Sequence, residues 1–318
     1  MILFGKDRWD KSRPFSNKKY MYSYEYFYTL CKENGVQMYR ASYQWYDYKK
    51  KKFKYAWSFE AKDGGWNRVY EIKPDLIYDK TKATPTAYMK NSLIRNDYPY
   101  FNNLEFAKII DNKLAVSLLF PDWSQKSQVI KDNDFFFNYI QNFPSDKKIV
   151  LKPVNLSGGN GVLIGTKDQV RHELETKKIT ITDWISQDFI DSSSGIPGIM
   201  RGMHDLRLVI IDDSLVYSYF RKPANGSFLA NLAQGGTMEI APAEKLPSSL
   251  TPLIESVKRA FSGFDHKIYA LDVMFDQNQK PWIVELNSMP GMYFAPGQEQ
   301  VRKHFYQHLL NTFKKILT

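Results

Sequence analysis

The chain has almost no cysteine and no long apolar run, and each absence excludes a class of protein. Cys31 is the single cysteine among 318 residues, which excludes a disulfide framework and a cysteine-based metal cluster. No stretch approaches the roughly 18 apolar residues of a membrane span. The first ten residues lack the apolar segment of a signal peptide. We therefore expect a cytoplasmic protein that makes no membrane contact.

Positive charge is concentrated in the N-terminal third. Residues 1–100 contain 20 Lys and Arg against 11 Asp and Glu, whereas the other 218 residues contain 24 and 23. The same 100 residues hold 24 of the 49 aromatic residues. A basic, aromatic region of this kind predicts contact with an acidic ligand or with nucleic acid.

Three polar residues near the C-terminus share one face of a predicted hairpin. The sequence IYALDVMF, a turn at 276–280 and PWIVEL predict two antiparallel strands. Glu285 and Asn287 are two residues apart on one strand, and Asp272 lies on its partner, so all three can point the same way. Carboxylate and amide oxygens together are ligands of Mg²⁺, although an exposed hairpin with scattered polar residues gives the same spacing.

A second candidate is Lys152 with the glycine-rich loop that follows it. Consecutive glycines let backbone N–H groups approach phosphate oxygens closely. The loop leads into a strand, so it is neither a Walker A nor a Rossmann motif. By itself it is equally typical of an ordinary hairpin turn.

A third candidate is the hairpin LRLVIID–DS–LVYSYFR. Arg207 and Arg221 are equidistant from Ser214, so we expect them to lie roughly opposite each other. Two facing cations destabilise a sheet unless an anion lies between them, which predicts an anion site. The alternative is that both arginines turn to solvent or pair with acids such as Asp205.

The order of these segments resembles the ATP-grasp superfamily, in its glutathione synthetase and ribosomal-protein glutamate ligase branch. The resemblance covers roughly residues 105–295. It rests on NKLAVSLLF, VLKPVNLSGGNGVLIG, ISQDFID, HDLRLVII, YFRKPANGSFLANLAQGG and YALDVMFDQNQKPWIVELNSMPG. It implies an α/β (α+β) ATP-grasp fold, in which an N-terminal α/β domain precedes two α+β subdomains that sandwich the nucleotide. The corresponding domains are 1–104, 105–187 and 188–318.

The resemblance also implies roles for the residues at matching positions. ATP would contact Lys113, Lys152, Ser157, Gly158, Gly159, Gly161, Gln187, Phe189, Ile190 and Asp191. Mg²⁺, as two ions and with Mn²⁺ as a substitute, would be held by Asp272, Glu285 and Asn287. Arg207 and Arg221 would stabilise the transferred phosphoryl group as catalytic residues. The substrate would meet His204, Asp205, Asn231, Gly235 and Gly236, and His204 departs from the family pattern.

The function implied is an ATP-dependent carboxylate–amine ligase that forms an amide or peptide bond through an acyl-phosphate, releasing ADP and phosphate. Its substrates would be small-molecule or peptide carboxylates and amines, acidic ones in view of residues 1–100, and the chain could form a homo-oligomer. Two alternatives stay open. One is an ATP-grasp kinase acting on a hydroxyl group, and the other is a nucleotide- or nucleic-acid-binding module without turnover. The metal set argues against the binding module.

Overall fold

The computed structural model describes residues 1–318 except 6–8, 16, 62–64, 82–84, 157, 225–226, 229 and 231–234. The described residues form two compact units. One comprises Met1–Leu104, His266–Ile268 and Met289–Thr318, and the other comprises Glu105–Asp265 and Tyr269–Ser288. The predicted three-domain division stays a prediction. No helix in the described part of the chain is long and apolar enough to cross a bilayer.

The first unit is built on a seven-stranded mixed sheet. Its strands are β1 (Ile2–Phe4), β2 (Arg40–Ser42), β3 (Tyr46–Asp47), β4 (Lys52–Glu60), β5 (Gly65–Ile72), β6 (Ile77–Asp79) and β7 (Tyr100–Phe101). The order β2-β1-β6-β7 is parallel throughout, and β4 pairs antiparallel with β2, β3 and β5. Its helices are α1 (Lys18–Glu33), α2 (Pro85–Ile94) and α8 (Glu299–Leu317).

The tyrosine-rich segment of residues 20–28 belongs to α1 and contributes to the core. Tyr24, Phe27, Tyr28 and Cys31 are buried. Their spacing of three and four residues places them on one helix face. Phe27 stacks on Tyr306 of α8 with ring centroids 4.6 Å apart. Packing within the unit therefore explains the buried members of this run without a nucleic-acid ligand.

The second unit contains two sheets. Its helices are α3 (Leu104–Ile110), α4 (Lys113–Leu119), α5 (Asn133–Ile140), α6 (Lys167–Thr176) and α7 (Leu250–Ala260). The strands β8 (Gln128–Ile130), β9 (Lys148–Pro153), β10 (Leu163–Thr166) and β11 (Trp184–Asp188) form an antiparallel sheet of order β10-β9-β11-β8. The strands β12 (Asp205–Ile211), β13 (Ser214–Lys222), β14 (Thr237–Ile240), β15 (Ile268–Phe275) and β16 (Pro281–Asn287) form the other, of order β14-β13-β12-β15-β16.

Because side chains alternate along a strand, each of these sheets has one face packed into a hydrophobic core and one face that carries the polar residues of the candidate site. On β9, Ile149 and Leu151 enter one hydrophobic core, which leaves Val150 and Lys152 on the opposite face. On β12 and β15, the core takes Leu206, Leu208, Ile210, Leu271, Val273 and Phe275. The intervening polar residues of these strands therefore share the other face, and this alternation positions the candidate site.

Helices α3 and α4 are separated by a short break at residues 111–112. Asn112 caps the second helix, because its side chain accepts a hydrogen bond of 2.9 Å from the backbone N–H of Ala115. An asparagine at this position satisfies one of the free N–H groups of a helix start. The cap begins a new helix at Lys113 and thereby positions this side chain.

Candidate functional site

The hairpin of β15 and β16 brings two predicted carboxylates together. Asp272 lies directly opposite Glu285, and Asn287 follows two residues further along β16 opposite Ala270. A β-bulge lies at this point, because the register shifts between Asp272 and Val273. The structure thus confirms the predicted juxtaposition of Asp272 and Glu285 across the strand pair.

The predicted pairing of Arg207 with Arg221 is wrong. Arg221 lies opposite Asp205, and Arg207 lies opposite Tyr219. The turn is at residues 212–213 instead of being centred on Ser214, and a bulge between Val209 and Ile210 shifts the register again. The two arginines therefore share a face diagonally, and acids lie next to both.

Arg207 and Arg221 form a buried network with two aspartates. Arg207 binds Asp272 bidentately through Nε–Oδ1 and Nη2–Oδ2, each 2.5 Å. Arg221 donates to Asp205 Oδ2 at 2.5 Å and to Asp272 Oδ2 at 2.9 Å. The Asp272 residue is 1% exposed. Bidentate, charge-assisted pairs are the strong class of hydrogen bond, so both guanidinium groups are held in fixed positions.

The two aspartates respond differently to this network. Burial raises the pKa of Asp205, because the pairing with Arg221 offsets only part of the desolvation. Burial also acts to raise the pKa of Asp272, but Arg207 and Arg221 outweigh it and hold the pKa below its usual range. Asp272 is therefore the carboxylate that both arginines keep ionised.

Two lysines and Glu285 form a looser part of the same cluster. Lys113 Nζ lies 3.7 Å from Glu285 Oε2, and Arg207 Nη2 lies 3.8 Å from Glu285 Oε1. Lys113 also donates to the carbonyl oxygen of Leu156, and Lys152 Nζ donates to that of Val284 at 3.3 Å. Burial, with the nearby Asp272, raises the pKa of Glu285. Burial and Lys113 lower that of Lys152 to about 8.

The cluster carries a formal excess of one positive charge. Its four cations are Lys113, Lys152, Arg207 and Arg221, and its three carboxylates are Asp205, Asp272 and Glu285. Buried charges that are not fully balanced favour a ligand of opposite sign, because the desolvation has already been imposed by the fold. The arrangement is therefore suited to an anion with several negative charges.

The glycine-rich loop connects β9 to β10 as an antiparallel hairpin. Gly158, Gly159 and Gly161 have φ angles of +72°, +74° and +74°. Glycine adopts these left-handed conformations more readily than other residues, and Gly159 lines a cleft beside Lys152. Ser157 lies outside the described residues. Gly159 therefore brings backbone to the same cleft as Lys113, Lys152 and Glu285.

Lys113, Lys152, Asp205 and Glu285 of the cluster line an open cleft between the two sheets. The cleft's apolar lining comprises Val150, Leu156, Val162, Ile164, Phe189, Ile190, Met203, Phe228, Ala230, Met274, Ile283 and Val284. Sequence reasoning included only Phe189 and Ile190 from this set. Val150 could have been found, because it shares its strand face with Lys152.

His204, which the sequence predicts at the substrate site, instead forms hydrogen bonds inside the protein. It is buried, and its Nδ1 lies 3.1 Å from the carbonyl oxygen of Ser192. Its Nε2 accepts a 3.1 Å hydrogen bond from the N–H of Phe275. These partners specify a neutral ring protonated on Nδ1, and burial lowers its pKa. Both nitrogens are used, so His204 holds β15 in place and is not positioned to contact a substrate.

Two predicted nucleotide contacts use their side chains elsewhere. The Gln187 amide donates to the carbonyl oxygen of Gln125 at 3.0 Å and to Ser127 Oγ at 2.8 Å, although Gln187 still lines the cleft. Asp191 accepts hydrogen bonds from the N–H of Ser193 and from Gln277 Nε2. It is not among the cleft residues, so the structure does not place its carboxylate against a nucleotide.

The predicted glycines of the β13–β14 connection have a steric role. A Cβ added at Gly236 would lie 2.5 Å from the carbonyl oxygen of Ala230 and 2.8 Å from that of Lys222. Gly235 has a φ of +86°. Backbone packing therefore accounts for Gly236, and the left-handed conformation accounts for Gly235. Asn231 lies outside the described residues.

Comparison with known proteins identifies the family. The model of the RimK-like ATP-grasp domain matches residues 116–300. The chain belongs to the RimK-like ATP-grasp family. A probable alpha-L-glutamate ligase of Trichodesmium erythraeum is 27% identical over 164 residues, which are 51% of this chain and 48% of that protein. The chain thus spans about half the length of the curated relatives it matches.

Solved structures of ATP-grasp proteins share the fold. D-alanyl-alanine synthetase A of Vibrio cholerae matches with a TM-score of 0.65 and 13% identity, over 99% of this chain and 97% of that one. A RimK domain ATP-grasp protein of Sphaerobacter thermophilus matches with a TM-score of 0.61 and 13% identity, over 96% and 98%. These similarities confirm the α/β ATP-grasp fold expected from the sequence.

The RimK-like ATP-grasp family uses ATP together with Mg²⁺, and the predicted metal ligands fit such an ion unequally. Glu285 is 15% exposed in its side chain and forms only ion pairs of 3.7 and 3.8 Å among the described residues, so its oxygens are open to a cation. Asp272 accepts three hydrogen bonds from two arginines and is 1% exposed, so its oxygens are less available to a metal than those of Glu285. Glu285 is therefore the carboxylate that suits a metal ion as the structure stands.

Proposed function

We propose that the chain is an ATP-dependent carboxylate–amine ligase that forms an amide or peptide bond and releases ADP and phosphate. The observation that carries this proposal is the buried cluster of four cations and three carboxylates at one end of an apolar cleft. A nucleoside triphosphate has this polarity, with a flat apolar base at one end and charged oxygens at the other. The family supports ATP as the nucleotide.

The reaction divides into two steps that this cluster suits. A carboxylate oxygen of the acid substrate attacks the γ-phosphorus, the bond to the β-phosphate oxygen breaks, and an acyl-phosphate forms. An amine then attacks the acyl carbon, phosphate leaves, and the amine loses a proton. Negative charge moves between oxygens in both steps. Fixed guanidinium donors such as Arg207 and Arg221 stabilise that charge without reorganising, which is how phosphoryl transfer is mostly catalysed.

Glu285 and Asn287 would hold Mg²⁺, which neutralises phosphate charge when it is bound. The two residues share one strand face. Burial, with the nearby Asp272, raises the pKa of Glu285, so a bound cation would favour its ionised form. The proposal also includes a second Mg²⁺ ion and Asp272 as a further metal ligand. The phosphates would contact Lys113, Lys152 and the loop of Gly158, Gly159 and Gly161. His204 and Gly236 have roles in the protein interior, so they are left out of the proposed substrate contacts.

The substrate class is a small-molecule or peptide carboxylate together with an amine. The relative named above is called a glutamate ligase, and residues 1–100 carry most of the positive charge. Both favour an acidic substrate. A homo-oligomer and a cytoplasmic location stay predictions from the sequence.

A phosphate-release screen tests the proposal. Purified protein is incubated with ATP, Mg²⁺ and pairs drawn from amino acids and short peptides, including glutamate and aspartate. Phosphate should appear only when an acid and an amine are both present, and mass spectrometry should show their condensation product. Hydroxylamine in place of the amine should trap the activated acid as a hydroxamate.

Glu285→Gln provides the site control, with Glu175→Gln on the exposed face of α6 as its match. Glu285→Gln should weaken Mn²⁺ binding, followed by electron paramagnetic resonance, and abolish turnover, while Glu175→Gln should change neither. Phosphate retained on the product would indicate a kinase instead. Absence of ATP binding by the unaltered protein, or full Mn²⁺ binding by Glu285→Gln, would contradict the proposal.

A further inference from the structure

The sheet of the first unit ends in a long edge strand. Strand β5 pairs with β4 along its length, and no other segment in the described part of the chain pairs with its free side. The opposite edge of the sheet is β7, a strand of only two residues. Natural sheets usually keep edge strands short or block them with lysine or proline, because free N–H and C=O groups can pair with another chain. With eight residues and neither of these blocking residue types, β5 departs from that pattern.

The side chains of β5 leave this edge open. Asn67, Arg68, Tyr70 and Glu71 are exposed, Tyr70 to 61%. Among the described residues, the backbone of β5 pairs with the backbone of β4 alone. Glu71 has a φ of +59°, which interrupts the extended backbone near the end of the strand. Residues 65–70 are therefore the part that another strand could pair with, and this length is typical of strands.

The charges around this edge are unevenly paired. The acids close to it already have partners, since Glu71 forms an ion pair with Lys52 and Glu60 forms one with Lys32. Five cations of β4, of β5 and of the segments flanking them have no ion pair among the described residues, and these are Lys49, Lys50, Lys54, Arg68 and Lys73. A segment that added to β5 would therefore meet a surplus of positive charge.

The surplus is present on both faces of the hairpin that β4 and β5 form. Arg68 lies opposite Trp57, and Lys54 is an odd number of residues from Trp57 on β4, so alternation places the two cations on opposite faces. The Arg68 guanidinium is held by the carbonyl oxygen of Lys11 at 2.8 Å and lies 5.3 Å from the centroid of the Trp9 ring. Acidic side chains on either face of an added strand would therefore lie near a cation.

We propose that β5 is a docking site for an extended, acidic segment of another polypeptide, which adds to the sheet as a further strand. Main-chain hydrogen bonds to the free edge would supply affinity, and the cations on both faces would select acidic side chains. The exposed Tyr70 ring adds apolar contact beside them. This interaction goes beyond the ligase reaction proposed above and does not depend on it, since the edge of β5 needs neither nucleotide nor metal.

Fluorescence anisotropy with labelled peptides tests the proposal on the full chain. The first probe is a blocked peptide of alternating glutamate and valine that matches the eight residues of β5. The second is the same peptide with every backbone amide methylated, and the third has lysine in place of glutamate. The first should bind, and each of the others should bind at least about tenfold more weakly. Methylation removes the N–H groups that pair with the edge, and lysine repels its cations.

A double variant tests the charge selection. Lys50→Gln with Lys54→Gln should bind the acidic peptide about 2- to 30-fold more weakly, and added salt should reduce this difference. Both lysines are exposed and without an ion pair in the described part of the chain, so the fold should be unaffected. The matched control is Lys131→Gln with Lys303→Gln, which removes the same charge at exposed positions outside this sheet. It should bind the peptide as the unaltered chain does.

Several results would overturn the proposal. They are failure of the acidic peptide to bind, equal binding of the methylated peptide, and equal binding by the double variant and the control. A single-stranded oligonucleotide or the basic peptide that binds in place of the acidic one would overturn it as well. So would a dimer in analytical ultracentrifugation that excludes the peptide, because a second copy would then occupy the edge. No ATP is present in these measurements, so their failure leaves the proposed ligase function intact.

Discussion

Replacing Lys152 by methionine should stabilise the protein while weakening its binding of nucleotide. Lys152 is 5% exposed, and its pKa falls from the usual 10.5 to about 8. The largest cause is burial of the charged ammonium group, and Lys113 adds to it. At neutral pH Lys152 is therefore charged in both states, but only the folded chain buries that charge. Methionine fills similar space without that charge.

The size of the effect follows from the shift in pKa. Each unit corresponds to about 1.4 kcal/mol, so a fall from 10.5 to about 8 costs the folded state about 3 kcal/mol at pH 7. Methionine also loses the hydrogen bond to the carbonyl oxygen of Val284, which is worth about 1 kcal/mol. The free energy of unfolding of Lys152→Met should therefore exceed that of the unaltered chain by about 2 kcal/mol at pH 7.

The difference should vary with pH in one direction. Below pH 8 both folded and unfolded chains hold the Lys152 proton, and the full cost is present. Between pH 8 and 10.5 the folded chain releases it first, so the unaltered chain gains stability relative to Lys152→Met. The advantage of methionine should therefore vanish by about pH 10. Groups that do not interact with Lys152 titrate equally in both proteins, so they cancel from the difference.

Urea unfolding at pH 7 and pH 10, followed by tryptophan fluorescence, measures this difference. Lys126→Met is the control, because Lys126 is an exposed lysine of the same unit and should change stability by less than about 0.5 kcal/mol. Isothermal titration with ATP should show at least tenfold weaker binding by Lys152→Met only. The reasoning is refuted if Lys152→Met is less stable at pH 7, or if its advantage is the same at both pH values.

Three further predictions concern neighbouring residues. Gly236→Ala should lower the free energy of unfolding by about 1–3 kcal/mol in urea titrations, since its Cβ would lie 2.5 Å from the Ala230 oxygen. The unaltered chain should lose part of its stability as pH falls below about 6.5, and His204→Gln should lack this pH-dependent loss. The reason is that the folded pKa of His204 is lowered, and comparative unfolding at pH 5 and 7 would show it. Arg207→Lys should lower kcat more than it raises the KM for ATP, because one ammonium cannot replace its bidentate bond to Asp272; an equal change in both would contradict this.

The strands of the site could be predicted because alternation is written directly in the sequence. Asp272 and Glu285 face each other as expected, since the turn between their strands is short and its polar residues are evident. The Arg207 register could not be predicted, because a two-residue turn and a bulge depend on tertiary packing. A one-residue shift changes every partner along a strand pair, so small errors in turn position redirect the chemistry.

Side-chain partners that are distant in sequence lay beyond prediction for a different reason. The sequence predicts His204 as a substrate residue, because nothing in the local sequence indicates Phe275 or Ser192 as its hydrogen-bond partners. Phe228 was missed because the connection between β13 and β14 has no periodicity to place it in a cleft. Both positions depend on contacts that form only when the sheets assemble.

The charge cluster divides into two halves that differ in how well they are satisfied. Arg207, Arg221, Asp205 and Asp272 bind one another at 2.5–3.2 Å, which holds both guanidinium groups in fixed positions. Glu285 lies 3.7 Å from Lys113 and 3.8 Å from Arg207, and burial lowers the pKa of Lys152 and raises that of Glu285. Unsatisfied buried charge is the part of a site that gains most from a ligand. An incoming nucleotide and its metal ion should therefore engage the lysines and Glu285 first. The arginines, already held in position by aspartates, would then stabilise the negative charge that develops later in the proposed reaction.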